Sequence, residues 1–88
     1  MQDENQREMT LYSTGACHLC EQAEALLDAV VKASPGASYR VTDISGSDRL
    51  FERYGWHIPV VRFADGSELC WPFDGRSVLA RLQALSSS

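Results

Sequence analysis

Long apolar runs are missing from this chain. No stretch approaches the roughly 20 consecutive apolar residues that a bilayer-spanning helix needs, so no membrane partner is expected. Basic charge is scarce: eight Lys and Arg stand against twelve Asp and Glu, for a net charge of −4. The basic residues form no patch, which argues against nucleic acid as a partner. Cysteines are few and odd in number, three in 88 residues, whereas a secreted disulfide framework pairs its cysteines. A second close cysteine pair and an HxxxH spacing are both absent, so the usual two halves of a structural zinc site are not there and no metal site is expected. The segment Met1-Gln2-Asp3-Glu4-Asn5 is polar and acidic, unlike a secretory leader. Together with the cysteine usage this leads to the expectation of a reducing, cytoplasmic setting. No internal repeat or linker is visible, so one domain is expected.

What remains is an ordinary globular composition, 44% apolar and 23% charged, sufficient for a packed core. Residues 1–8 lack periodicity and are expected to form a flexible tail, and residues 86–88 a polar C-terminal tail, leaving a domain over 9–85. Met9–Ser13 alternates as a strand. From Glu21 onward, Ala23, Leu26, Leu27, Val30 and Val31 recur at helical spacing, and Pro35-Gly36 stops the helix. Ser38–Ile44 alternates again and is rich in β-branched residues. Ser45 and Asp48 have the spacing of a capping box for a short helix with Leu50, Phe51 and Tyr54 on its apolar stripe, and Gly55 suits a left-handed end. Val60–Phe63 and Glu68–Trp71 read as a hairpin around Asp65-Gly66. Asp74-Gly75-Arg76-Ser77 opens a last helix, with Val78, Leu79, Leu82 and Leu85 on one face. The order β-α-β-α-β-β-α implies an α/β fold with one four-stranded mixed sheet flanked by helices.

The candidate chemistry lies in Thr14-Gly15-Ala16-Cys17-His18-Leu19-Cys20, between the first strand and the first helix. A thiol at a helix N-terminus meets unpaired N–H groups whose partial positive charge stabilises a thiolate. A second thiol one turn later is close enough to close a disulfide with it, which is the minimum needed for reversible two-electron thiol chemistry.

These features resemble the thioredoxin-fold superfamily and, within it, a small glutaredoxin-like family. Cys17-x-x-Cys20 in a βαβ context, Ile58-Pro59 opening the third strand, and the closing hairpin and helix carry the resemblance over about Met9 to Leu85. It implies a thiol–disulfide oxidoreductase with Cys17 as nucleophile and Cys20 as resolving thiol. It also implies a cis Ile58–Pro59 bond that presents Ile58's backbone groups to an extended substrate. His18 is placed beside the substrate, either turned toward Cys17 or facing solvent. The expected partner is a disulfide-containing protein or a low-molecular-weight thiol, acting on a monomer. No tightly bound cofactor is expected, with glutathione as a candidate co-substrate. The chain departs from the family in its His18-Leu19 pair, in Ser13, Thr14 and Gly15 where glutaredoxins carry a lysine, and in Asp74-Gly75-Arg76, a partial match to the Gly-Gly-acid loop that holds glutathione. The rival reading is a non-catalytic module that docks partners or binds a metal or iron–sulfur cluster. For Cys70, Trp56 and Trp71 the sequence suggests packing roles.

Overall fold

The computed structural model describes residues 7–15 and 17–86. The elements are β1 (Glu8–Ser13), α1 (His18–Ala33), β2 (Ser38–Asp43), a 3-10 turn (Ile44–Gly46), α2 (Asp48–Tyr54), β3 (Val60–Phe63), β4 (Glu68–Cys70) and α3 (Gly75–Ser86). They form one sheet in the order β2-β1-β3-β4. β1 and β2 run parallel, as a helical crossover requires, while β3 is antiparallel to both β1 and β4. This is the α/β arrangement expected of a thioredoxin-like fold.

Alternation along the strands divides the core. Met9 and Leu11 of β1 and Val61 and Phe63 of β3 point to one face, where they pack with Leu27 and Val30 of α1 and Val78 and Leu82 of α3. Tyr12 and Val60 point to the other face, where they meet Ile44 and Tyr54, with Leu50 and Ile58 alongside. α2 therefore covers the second face, and only at the end of the sheet where β1 stops and β3 starts. Tyr12 and Tyr54 stack there with centroids 4.3 Å apart, and Tyr54 donates its hydroxyl hydrogen bond to Glu68.

Several boundaries differ from the sequence reading. Residues 1–6 and 87–88 of the expected tails lie outside the described residues. Glu8 already pairs with Ser38, and Arg7 donates to Ser34 Oγ (3.2 Å) and the Pro35 carbonyl (2.7 Å), so these two residues of the expected tail are tied into the fold. The short helix is capped by Ser47, whose hydroxyl accepts the Leu50 N–H, and not by Ser45, which instead bonds back to Asp43. Gly55 is right-handed (φ −56°) rather than left-handed. Glycine is needed there for space, since a Cβ would lie 2.5 Å from the Phe51 carbonyl oxygen. At the hairpin Gly66 has φ +91°, the conformation for which the Asp-Gly turn selects glycine.

Candidate active site

Cys17 is the N-cap of α1, with extended backbone (φ −112°, ψ 113°). Its Sγ accepts the Cys20 N–H at 3.2 Å, in the place a serine or aspartate oxygen takes in an ordinary cap. The residue is half-buried.

Cys20, one turn on, faces inward and is 2% exposed. Burial is the main cause that pushes its thiol up, to about 12; its S–H donated to Cys17 adds to the effect, and the Thr14 N–H acts in the opposite direction. The pair is therefore unequal: Cys17 is half-buried and its sulfur accepts a backbone N–H, while Cys20 is enclosed and keeps its proton.

The Ile58–Pro59 bond is cis. Val60 pairs with Tyr12 near the end of β1, which sets Pro59 at the end of the sheet from which the chain runs to Cys17. Of Ile58's backbone groups, the N–H donates to the Tyr54 carbonyl (3.1 Å). The sequence reading offered both groups; the turn after α2 takes one. Trp71–Pro72, a second cis bond, had no sequence signal beyond the X-Pro pair itself, and the Trp71 N–H donates to the Pro59 carbonyl at 3.0 Å.

His18 is exposed on the first residue of α1. His57 is exposed too, and lines a cleft of about 360 Å³ with Arg53, Tyr54, Glu68 and Cys70. Arg53 lies over the Tyr54 ring and pairs with Glu68 at 3.8 Å. Cys70 is exposed, contrary to the packing role suggested for it. The reason is topological: it lies opposite Val60 on an edge strand of three residues, and opens onto that cleft. Trp56 likewise departs from expectation, at 93% exposed, whereas Trp71 is half-buried and meets Phe73 edge-on. Trp56's place in a turn, between Gly55 and His57, was the available signal. Among the described residues no three His, Cys, Asp or Glu side chains converge as a metal site.

Asp74-Gly75-Arg76 does not lie near the start of α1. Asp74 caps α3 by accepting the Ser77 N–H (2.8 Å), and a Cβ on Gly75 would sit 3.7 Å from Val30 Cγ2. Val30 is about three turns beyond His18, about 18 Å along the helix axis at 1.5 Å per residue.

The comparisons with known proteins agree with this picture. Residues 8–83 match the family model described as a glutaredoxin-like domain (DUF836). The X-ray structure of protein XcR50 from X. campestris is similar, with TM-score 0.74 and 38% identity over 86% of this chain and 96% of that one. The solution NMR structure of Ne2328 from Nitrosomonas europaea is similar at TM-score 0.71 and 31% identity, over 84% and 87%. Among curated proteins there is no match.

Proposed function

The chain belongs to the glutaredoxin-like domain family, and from that premise we propose that it is a thiol–disulfide oxidoreductase working through Cys17 and Cys20. The observation that carries the reading is the inequality of the two sulfurs, with Cys17 Sγ as the helix cap and Cys20 buried behind it.

The steps follow from ordinary thiol exchange. The Cys17 thiolate attacks one sulfur of a substrate disulfide; a Cys17–substrate disulfide forms, and the other substrate sulfur leaves as a thiolate and takes up a proton. Cys20 then loses its proton and attacks Cys17 Sγ. The Cys17–Cys20 disulfide forms and the second substrate thiol is released. The substrate has gained two electrons and the protein has lost them. Two equivalents of a low-molecular-weight thiol such as glutathione, or a dithiol reductase, return them. During the first step the backbone donors at the start of α1 stabilise charge on Cys17. Ile58's carbonyl, beside Pro59, pairs with the backbone of the substrate, and His18 lines the approach. No tightly bound cofactor takes part, and a reducing, cytoplasmic compartment suits the cycle. No helix of the described residues is long and apolar enough to cross a membrane.

The test is turnover of a disulfide substrate with glutathione as reductant. Wild type is expected to turn over, and Cys17→Ser to lose activity on the order of a thousandfold or more. Full activity in Cys17→Ser would end the reading. Success with a thioredoxin reductase and failure with glutathione would assign a different reductant.

A further inference from the structure

Between α1 and α3 runs a groove of about 530 Å³ that the dithiol does not use. Its α1 wall is Leu26, Ala29 and Val30, about 14–20 Å along the helix axis from Cys17 at 1.5 Å per residue. Its α3 wall is Arg76, Leu79, Ala80 and Gln83, which have the spacing of one helical face. The groove exists because the residues that could close it are small. Val30 is buried, Leu26 and Leu79 are half-buried, and the exposed positions are Ala29 and Ala80, too short to fill the space between the helices. Only at Gly75 does α3 come up against α1, where a Cβ would sit 3.7 Å from Val30 Cγ2.

Size, depth and charge together select the occupant. The volume lies in the range of about 300–1,000 Å³ typical of sites for small molecules, and mostly apolar walls with few polar groups are their usual lining. A face that docks a protein projects large apolar side chains. The exposed ones here are Leu19, Val41, Phe51 and Trp56, none of which lines the groove, so its apolar surface is recessed. Arg76 is the one charged residue among those lining it. It is exposed in the first turn of α3 and enters no ion pair among the described residues. Asp74 feels the Arg76 charge, yet its carboxylate is committed to the helix cap, accepting the Ser77 N–H at 2.8 Å. From Arg76 to Gln83 the α3 wall runs about 10 Å. One guanidinium beside an apolar trough without an acid suits a ligand with a single negative head and an apolar tail. A planar, singly charged carboxylate matches the fork of one arginine. A phosphate monoester, with a charge of about −1.5 to −2, brings more than this lining offsets.

We propose that the α1–α3 groove is a binding site for a small apolar carboxylate, with its head on Arg76 and its tail over Leu26, Val30 and Leu79. The site is separate from Cys17 and Cys20 and does not depend on the oxidoreductase reading.

The experiment titrates the isotope-labelled full chain with decanoate and with decanol, each below the concentration at which it aggregates, and follows backbone amide shifts by NMR. Decanoate is expected to give saturable shifts centred on residues 26–30 and 76–83, and to bind about tenfold tighter than decanol. Arg76→Gln should weaken decanoate about tenfold and leave decanol within about twofold. Ala80→Phe, which fills the groove, should weaken both ligands about tenfold or more, and Ala29→Phe should do the same from the other wall. The amide spectrum of each variant reports that it is folded. Absence of saturable shifts overturns the proposal, as do shifts centred elsewhere, on exposed Leu19, Phe51 or Trp56 for example. Equal affinity for decanoate and decanol, or an Arg76→Gln variant that binds decanoate like wild type, also overturns it. So does sedimentation showing a wild-type dimer that Ala80→Phe dissociates, because a second copy then fills the groove.

Discussion

The two ends of α1 are closed in different ways. At the C-terminal end the bonds are fixed. Ser34 N–H reaches the Val31 carbonyl (3.3 Å), Ala37 N–H reaches the Ser34 carbonyl (3.0 Å), and Arg7 crosses from the start of β1 to Ser34 Oγ and the Pro35 carbonyl. Gly36 turns the chain away at φ +88°, a conformation that glycine adopts without strain. At the N-terminal end the capping group is a sulfur, half-exposed, accepting one N–H. One end joins strand to helix with ordinary polar groups. The other caps the helix with an atom that can change its charge and its covalent partner. A helix end thus serves as a site when its cap is chemically labile and open to solute, while a satisfied cap only anchors.

Replacing each cap with alanine separates the two roles. Cys17→Ala is expected to remove turnover on the order of a thousandfold, whereas Arg7→Ala leaves it within about twofold. Their effects on stability should be alike and small. Arg7→Ala loses a part-buried hydrogen-bonded contact worth about 1 kcal/mol, and Cys17→Ala is less stable than Cys17→Ser by about 0.5–2 kcal/mol, because serine is a good N-cap. Denaturant midpoints measured beside turnover check this. A loss of turnover in Arg7→Ala would break the contrast between the ends.

The smallest effect concerns acid. Asp43, Asp65 and Asp74 each accept hydrogen bonds from a nearby serine, Ser45, Ser67 and Ser77 respectively, which holds their carboxyls below the ordinary 3.8. Their ionised forms are therefore favoured by folding. That stability is fully present above their ordinary values and is lost as pH falls through the depressed ones. Unfolding free energy is expected to decline as pH falls below about 4. Asp74→Asn, which keeps a capping oxygen on α3, should shrink the slope without changing turnover at neutral pH. An unchanged slope would mean that the Asp74 cap is not felt on folding.

Much of this molecule was legible in advance because its signals are local. The period-two alternation of Met9–Ser13, the helical spacing through Val31, the Asp65-Gly66 turn and Cys17-x-x-Cys20 each depend on neighbours in sequence, and the parallel β1–β2 crossover and the β3–β4 hairpin follow from them. What was hidden depends on distant contacts. Arg7 has no motif, and its role exists only because the ends of β1 and α1 meet. Ser45 had the right spacing for a cap, but the 3-10 turn after β2 moved the cap to Ser47. Phe51 lies in the apolar stripe of α2, yet a seven-residue helix at the end of a sheet buries Leu50 and Tyr54 more fully than it does Phe51. Cys70 is a residue type usually buried, placed here on a short edge strand. At the site, spacing alone marked both cysteines, but the difference between them needed the depth at which α1 sets Cys20.

That difference is the central claim, and trapping tests it most directly. In a Cys70→Ser background, which removes the other exposed thiol, Cys20→Ser and Cys17→Ser are each mixed with a disulfide substrate and analysed by peptide mass mapping. A mixed disulfide on Cys17 is expected to accumulate in Cys20→Ser, with no adduct in Cys17→Ser on the same timescale. An adduct on Cys20 in Cys17→Ser, formed as fast as that on Cys17, would contradict it.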